Sequence, residues 1–230
     1  MLNVEAIFNS IDGEYNGFRG AGELTTFIRL KGCNLKCSFC DTAYSQGAGE
    51  GKLGYLSILD IYEYRMLKKV TITGGEPLFQ EKCADLIESL LQTGHQITVE
   101  TNGSILIPKF HPSLRARAGG FLSYVVDYKL PSSGVHKEMK EEIFTKLRGV
   151  DVIKFVIADL HDFNVALNFI ASHSLLAKLV FSPAIEDQND YTGWPSELAI
   201  LMIDRAEELR DISYSLQIHK VLFPNFKIEI

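Results

Sequence analysis

Cysteine is scarce in this chain, with four residues among 230. The first residues, Met1 to Glu5, contain no basic stretch followed by an apolar one, so we expect no secretory signal peptide there. The expected location is therefore cytoplasmic. Thiols stay reduced in that compartment, so we do not expect the few cysteines to form disulfides.

Long apolar runs and an excess of basic residues are also missing. No stretch approaches the roughly 18 consecutive apolar residues of a membrane helix, so no membrane contact is expected. Lysine and arginine number 23 against 29 acidic residues, a net charge of −6, which argues against a nucleic-acid partner. With 46% hydrophobic residues and no repeat or linker, residues 1–230 are predicted to form a single domain with a full core.

Three of the four cysteines share the run Gly32-Cys33-Asn34-Leu35-Lys36-Cys37-Ser38-Phe39-Cys40-Asp41-Thr42. This spacing places the three thiolates on one loop, where they can converge on a single centre that holds zinc or an iron–sulfur cluster. A structural zinc ion normally has four ligands, whereas a [4Fe–4S] cluster with three cysteines keeps one iron open. The odd number of cysteines therefore favours a cluster that binds a substrate or cofactor over a purely structural metal site. Cys83 is a candidate fourth ligand, but its amphipathic helix predicts a core residue.

Short β-branched runs alternate with helical patterns along the chain. Strands are predicted at Val4–Phe8, Thr25–Leu30, Val70–Thr73, Ile97–Thr101, Tyr124–Tyr128, Val152–Ile157, Leu179–Phe181 and Tyr214–Ile218. Helices are predicted at Ser57–Met66, Glu81–Leu91, Pro108–Arg117, Glu138–Leu147, Asp162–Ser172 and Ser196–Arg210. This alternation predicts an α/β fold with a mostly parallel sheet, open or curled into a barrel. Ligand sites of such sheets gather at the carboxyl ends of the strands.

Three polar segments follow predicted strands. Thr73-Gly74-Gly75-Glu76-Pro77 comes directly after the strand that begins at Val70, and its glycines let the backbone approach a ligand closely. Asp127-Tyr128-Lys129 offers a carboxylate and an ammonium, and Ser182-Pro183 has the same placement. We predict that all three reach one rim. The alternative for each is an ordinary turn or a solvated strand end.

The cysteine run, with Phe39 before its third cysteine, resembles the signature of the radical S-adenosylmethionine superfamily, and the Gly-Gly-Glu-Pro turn agrees with it. The resemblance implies a partial (β/α)6-type barrel with some shortened crossovers. It also implies a [4Fe–4S] cluster on Cys33, Cys37 and Cys40, whose open iron binds S-adenosylmethionine and cleaves it to a 5′-deoxyadenosyl radical. The residues implied to bind the cofactor are Phe39, Cys40, Asp41, Gly75, Asp127, Tyr128, Lys129, Ser182 and Pro183.

The flanking segments resemble one family of that superfamily, the 7-carboxy-7-deazaguanine synthases. The matching segments are Ile11-Asp12-Gly13-Glu14, Phe27-Ile28-Arg29-Leu30, Cys40-Asp41-Thr42, Val99-Glu100-Thr101-Asn102-Gly103 and Leu216-Gln217-Ile218-His219-Lys220. The resemblance implies a lyase that converts 6-carboxy-5,6,7,8-tetrahydropterin to 7-carboxy-7-deazaguanine with loss of ammonia, on the route to queuosine and other 7-deazapurines. A hydrogen leaves C6 and later returns, so S-adenosylmethionine is regenerated.

The family resemblance also implies partners and substrate contacts. Arg29 is expected to pair with the substrate carboxylate, and Thr42 to bind Mg²⁺. The implied substrate-binding residues are Ile11, Asp12, Gly13, Glu14, Arg29, Thr73 and His219. A homodimer and an electron donor such as flavodoxin or ferredoxin are implied as well. Asp12 and Tyr15 depart from the usual glutamine and glycine, and an aspartate accepts hydrogen bonds without donating them. The role of the end of the chain, up to Ile230, is left open.

Two other functions compete with this interpretation. A glycyl-radical activating enzyme shares the cysteine run and the aspartate–lysine pair at Asp127 and Lys129, but acts on a protein. A closed pocket that holds Arg29 and Thr42 beside the cysteines would favour the pterin. A non-enzymatic iron–sulfur or zinc-binding module is the third interpretation.

Overall fold

The computed structural model describes residues 1–17, 20–110, 121–185, 192–209 and 211–222. The strands of this part of the chain are β1 (Leu2–Ile11), β2 (Leu24–Leu30), β3 (Gly54–Leu56), β4 (Lys69–Gly74), β5 (Gln96–Thr101), β6 (Leu122–Asp127), β7 (Val152–Ile157), β8 (Lys178–Pro183) and β9 (Ile212–Tyr214). They form a single sheet in the order β3-β1-β2-β4-β5-β6-β7-β8-β9.

The sheet is mostly parallel, as predicted. Strand β1 pairs antiparallel with β2 and β3, whereas every neighbouring pair from β2 to β9 is parallel. Because β3 and β9 are the two edges, the sheet is curved but not closed. The carboxyl ends of the parallel strands all face one side, which is where an α/β protein places its site.

The helices in the described residues are α1 (Ile58–Tyr62), α2 (Cys83–Gln92), α3 (Glu141–Phe144), α4 (Leu160–Ser172), α5 (Trp194–Asp204), α6 (Ala206–Leu209) and α7 (Ile218–Leu222). The crossover from β2 to β4 has the short α1 as its single α-helix, which confirms the expected shortening. Ser57 begins α1 through a capping box with Asp60. None of these helices is long and apolar enough to cross a lipid bilayer.

Several predicted boundaries were wrong. The predicted strand Tyr214–Ile218 is β9, which already ends at Tyr214, and Ile218 begins α7. The chain turns inward there because the Gln217 side chain bonds to Glu14 at 2.9 Å. The short strand β3 was missed, since its glycine start resembles a loop. The predicted helix Ser196–Arg210 is divided into α5 and α6, with Arg210 outside the described residues. Most of the predicted helix Pro108–Arg117 also lies outside them.

Both faces of the sheet are buried. On the outer face, strand residues such as Ile72 and Val126 pack with Leu86 of α2 and Phe163 of α4 in the main core. On the inner face, a small apolar cluster of Val125, Val152 and Val180 packs against Tyr15. Neighbouring residues of one strand, such as Val125 and Val126, thus serve opposite faces, as the two-residue period of a strand requires.

Candidate functional site

A cavity of about 510 Å³ lies at the carboxyl ends of the parallel strands. Its size is in the range of sites that enclose cofactor-sized ligands. It is lined by the loop that carries Cys33, Cys37 and Cys40, called the cysteine loop below. The Gly74-Gly75 turn, the end of β6 at Asp127 and the N-terminal loop around Glu14 line the rest. The polar segments that the sequence places after separate strands therefore meet at one site.

Backbone contacts fix the cysteine loop against the turn after β4. The N–H of Glu76 donates to the carbonyl of Gly32 at 2.9 Å, and the N–H of Gly75 donates to that of Leu30 at 3.2 Å. A Cβ atom on Gly75 would stand 2.5 Å from the Gly32 oxygen and 2.8 Å from the Cβ of Cys33. Only glycine permits this approach, which explains the second glycine of the turn.

The thiols of Cys33, Cys37 and Cys40 all line the cavity and are half-buried. Burial raises the pKa of Cys33 and of Cys37. Within the described residues, no three His, Cys, Asp or Glu side chains are grouped closely enough to hold a single metal ion. Cys83 is only 1% exposed, lies in the main core and does not line the cavity. The predicted core position of Cys83 is confirmed.

Glu76 ties the turn after β4 to the end of β5. One of its carboxylate oxygens accepts from the Thr101 hydroxyl at 2.8 Å and from the Leu78 N–H at 3.0 Å. The other accepts from the Asn102 N–H at 2.6 Å. Burial raises the pKa of Glu76 to about 7, against the opposing effect of these hydrogen bonds. This carboxylate therefore positions the backbone of the site rather than lining the cavity.

Opposite charges form a cluster along the inner wall of the cavity. The Lys154 ammonium stands 3.2 Å from Glu14 and 3.7 Å from Asp127, which also pairs with Lys129 at 2.6 Å. Burial opposes the charge of Lys154, but Glu14, Asp127 and Glu100 outweigh it and raise the lysine's pKa. Burial raises the pKa of Glu100 to about 7, with further increases from Glu14 and Asp12, while Lys154 lowers it. These charged side chains supply hydrogen-bond acceptors and donors to a ligand.

Arg29 presents its guanidinium to the same cavity from β2. The group lies 5.8 Å from the ring centre of Phe8 and 5.9 Å from that of Tyr44. Its Nε atom is buried and has no hydrogen-bond partner among the described residues. An arginine held between aromatic rings with a donor unused is suited to bind a carboxylate. Thr42 lines the cavity nearby, with its hydroxyl 3.7 Å from the Cys40 sulfur.

The last described segment, after β9, contacts the loop that follows β1. Gln217 donates to Glu14 at 2.9 Å, and the N–H of Ile218 donates to the carbonyl of Gly13 at 3.4 Å. Lys220 of α7 stands 3.6 Å from Asp41 of the cysteine loop. The segment therefore covers one side of the cavity and joins the N-terminal loop to the cysteine loop.

The two residues that depart from the family pattern do not line the cavity. Asp12 is 1% exposed and accepts from the N–H of Glu14 at 3.3 Å, the amide of Asn16 at 3.3 Å and the hydroxyl of Thr71 at 3.2 Å. Tyr15 packs on the inner apolar cluster, where Lys178 lies 5.8 Å from its ring centre. Both side chains fix the loop that presents Glu14.

The structure brings most of the predicted site residues to the cavity, as its lining shows for Ile11, Gly13, Glu14, Arg29, Cys33, Cys37, Phe39, Cys40, Asp41, Thr42, Thr73, Gly75, Asp127 and Lys129. Asp12, Tyr128, Ser182 and Pro183 are not among the lining residues. Tyr128 is 4% exposed, with its ring 4.1 Å from that of Phe169 and 4.9 Å from that of Phe144. The side chain of His219 lies outside the described part of the structure.

Sequence reasoning did not name Lys154, which lines the cavity. It named Glu100, which also lines the cavity, and Glu76 beside it only as members of longer motifs, without a role of their own. Glu100 and Lys154 each carry a charge inside an apolar strand pattern, Val99-Glu100-Thr101 and Ile153-Lys154-Phe155. A charge in a strand buried on both faces is costly unless it is paired. That pattern is the signal by which both residues could have been found.

Comparison with known proteins gives consistent matches. The model of the radical SAM superfamily matches residues 27–142. A 7-carboxy-7-deazaguanine synthase from Clostridium acetobutylicum is 35% identical over 227 residues, with 95% of each chain covered. One from Thermoplasma acidophilum is 31% identical, with 96% of each chain covered.

Two solved structures have a similar fold. The crystal structure of QueE from Escherichia coli has a TM-score of 0.67 at 19% identity, and the match covers 94% of this chain and 93% of that chain. SuiB from Streptococcus suis, with bound precursor peptide SuiA, has a TM-score of 0.54 at 14% identity, and covers 89% and 52%.

Proposed function

The chain belongs to the 7-carboxy-7-deazaguanine synthase family of the radical S-adenosylmethionine superfamily, and on that premise we propose that it converts 6-carboxy-5,6,7,8-tetrahydropterin to 7-carboxy-7-deazaguanine and ammonia. Substrate and products contain the same atoms, so the conversion needs no net oxidant or reductant. The reaction is a carbon–nitrogen lyase reaction with ring contraction, in the biosynthesis of queuosine and related 7-deazapurines.

One observation carries this proposal: three cysteines line one cavity with Arg29, whose buried Nε has no hydrogen-bond partner among the described residues. The thiols favour a soft metal cluster, and the guanidinium favours a planar carboxylate. A cavity that offers both accommodates a cofactor and a carboxylated substrate side by side. The residues present therefore fit both groups.

Cys33, Cys37 and Cys40 would hold a [4Fe–4S] cluster, and the Gly74-Gly75 turn would face S-adenosylmethionine. When bound, this pair supplies the radical chemistry that removes a hydrogen from C6 of the substrate and later returns it. Asp127 and Lys129 face the same space as a paired carboxylate and ammonium. They are suited to the hydroxyl and carboxylate groups of the cofactor. Phe39 and Asp41 line the cavity beside the cysteines.

On the substrate side, Arg29 would bind the carboxylate while Glu14 and Glu100 accept hydrogen bonds from the N–H groups of the pterin. Thr73 hydrogen-bonds Glu100 and lines the same wall. Ile11 and Gly13 line the cavity and would contact the substrate. Asp12 is bonded to Glu14 and Asn16 of its own loop and to Thr71 of β4, so its carboxylate is not offered to the substrate.

Thr42 would contribute a hydroxyl to Mg²⁺, together with oxygens of the substrate, since this ion prefers oxygen ligands and few protein contacts. By likeness to the family, we also propose that the protein is cytoplasmic and forms a homodimer. Its electron donor would be a protein such as flavodoxin or ferredoxin.

The geometry supports a small molecule over the peptide loop of a glycyl-radical enzyme. Arg29 and Thr42 lie with the cysteines in one cavity. Gln217 and Lys220 close its side through Glu14 and Asp41. An activating enzyme needs an open mouth at this place, because its substrate is part of a protein.

The direct test is an anaerobic incubation of the reconstituted enzyme with S-adenosylmethionine, a reductant, Mg²⁺ and 6-carboxytetrahydropterin. We expect 7-carboxy-7-deazaguanine by mass spectrometry. A tetrahydropterin that lacks the 6-carboxylate should give no 7-deazapurine product of any kind, because Arg29 then has no partner. Cleavage of S-adenosylmethionine to 5′-deoxyadenosine without the deazaguanine product would keep the radical chemistry and contradict the substrate.

A further inference from the structure

Asn102, at the end of β5, points its side chain at the first cysteine. Its Nδ2 lies 3.8 Å from the Cys33 sulfur and 3.1 Å from the Oδ1 of Asn34. The N–H of Leu35 also donates to the Cys33 sulfur, at 3.4 Å. Cys33 is thus approached by a backbone donor of its own loop and by a side-chain donor from a different strand.

The orientation of the Asn102 amide is fixed by chemistry. The N–H of Ser104 donates at 3.0 Å to the other end of the amide, and a backbone N–H cannot accept. That end must be the oxygen, so the NH₂ group faces Cys33 and Asn34. The Ser104 hydroxyl donates to the same oxygen at 2.7 Å and accepts from Asn34 at 2.8 Å. The three polar side chains therefore form a closed ring.

The ring is anchored to the buried core of the site. The N–H of Asn102 donates to Glu76 at 2.6 Å, and Asn102 is 7% exposed. The Asn102 amide is already held by its own backbone and by two side chains, so little further conformational entropy is lost when it bonds to sulfur. Its position does not depend on the arrival of a ligand.

We propose that Asn102 is a positioning residue that sets the reduction potential of the cluster through its hydrogen bond to the Cys33 thiolate. This inference rests on the proposed cluster but not on the proposed pterin substrate. Hydrogen bonds to cysteine sulfurs are among the factors that set the potentials of iron–sulfur clusters. The reduced cluster carries one more negative charge, so a donor at sulfur stabilises it more than the oxidised form. Asn102 therefore raises the potential and makes the cluster easier to reduce.

The test is a potentiometric titration of the reconstituted full-length protein, followed by electron paramagnetic resonance and without pterin. We expect the midpoint potential to become more negative in Asn102→Ala. It should fall further in Asn102→Asp, which keeps the acceptor for Ser104 but places a carboxylate oxygen beside the sulfur. Ser104→Ala keeps both the amide and its backbone donor, so its shift should be smaller. Gln92→Ala, an exposed amide on α2, serves as the control with no shift.

Potentials equal to that of the unchanged protein in both Asn102 variants, with the cluster present, would overturn the inference. Loss of the cluster in both variants while Ser104→Ala retains it would also overturn it, because Asn102 would then hold the loop rather than tune the cluster. Failure of the unchanged protein to assemble a cluster would contradict the proposed function itself. The iron content of the unchanged protein distinguishes that result from the two outcomes that concern the Asn102 variants.

Discussion

Cys37→Ala is expected to abolish product formation and the cleavage of S-adenosylmethionine together. Cys37 supplies one of three thiols that line the cavity, and the described residues offer no further cysteine there. A cluster with two protein ligands is not held in place, so iron content and visible absorbance should fall with activity. The measurement is product by mass spectrometry beside iron analysis of the same anaerobic sample.

Cys83→Ala is the matched control, because it removes the remaining thiol without touching the cavity. Cys83 is buried in α2, so its truncation leaves a small void that costs about 1 kcal/mol of folding stability. We expect full iron content and unchanged turnover. Activity retained in Cys37→Ala, or cluster lost in Cys83→Ala, would contradict the assignment of the ligands.

Lys154→Met is expected to lower kcat/KM by about 100-fold or more. The change leaves Glu14 and Asp127 without the ammonium that stands between them. A 100-fold loss corresponds to about 2.7 kcal/mol of transition-state stabilisation, at about 1.4 kcal/mol for each factor of ten. Removing one partner of a buried ion pair also lowers the free energy of unfolding by about 3–5 kcal/mol, so the folded fraction has to be measured as well. Glu14 and Glu100 would then repel each other and hold the substrate poorly. The measurement is steady-state kinetics with the fraction of folded, cluster-loaded enzyme determined for each variant.

The pH profile separates this electrostatic role from simple loss of structure. Burial raises the pKa of Glu100 to about 7, and Lys154 lowers it by its charge. If ionised Glu100 accepts from the substrate, kcat/KM rises with pH through this range. Without the ammonium the pKa moves higher, so the rise should shift to higher pH. Lys146→Met, which removes an exposed partner of Glu142 at 2.8 Å, should change nothing. Lys154→Met with an unshifted profile and wild-type kcat/KM would contradict the proposed role of the cluster of charges.

The cysteine loop and its partner turn were predictable because their chemistry is local. Three cysteines so close in sequence share one loop, and all three line the cavity. Period-2 patterns such as Val70-Thr71-Ile72 identify buried strands, and parallel strands bring their carboxyl ends together. The fold class and the position of the site follow from these facts alone.

Other parts of the site were not predictable, because they depend on contacts between distant segments. Gln217 reaches Glu14 across 203 positions of the chain, and no periodicity marks such a pair. Tyr128 adjoins Asp127 and Lys129 in sequence, but the outward turn after β6 places its ring among Phe144 and Phe169. The two-residue period of a strand places Tyr128 on the face opposite Asp127, but the local sequence does not show which of the two faces holds the site.

Tyr15 shows how the structure changes the meaning of a sequence departure. Beside Glu14, a tyrosine in place of glycine suggests altered substrate recognition. Its ring instead packs on Val125, Val152 and Val180, below the cavity. The departure therefore supports the loop that presents Glu14, and the substrate class need not change.

A lyase that acts on a carboxylated pterin and regenerates S-adenosylmethionine uses it as a cofactor rather than as a co-substrate. The most direct measurement supplies S-adenosylmethionine at a concentration below that of 6-carboxytetrahydropterin and counts both products. We predict that 7-carboxy-7-deazaguanine exceeds the S-adenosylmethionine consumed, because the hydrogen returns and the cofactor is regenerated. One S-adenosylmethionine consumed for each product would contradict the cofactor role, and 5′-deoxyadenosine without any deazaguanine would contradict the pterin substrate.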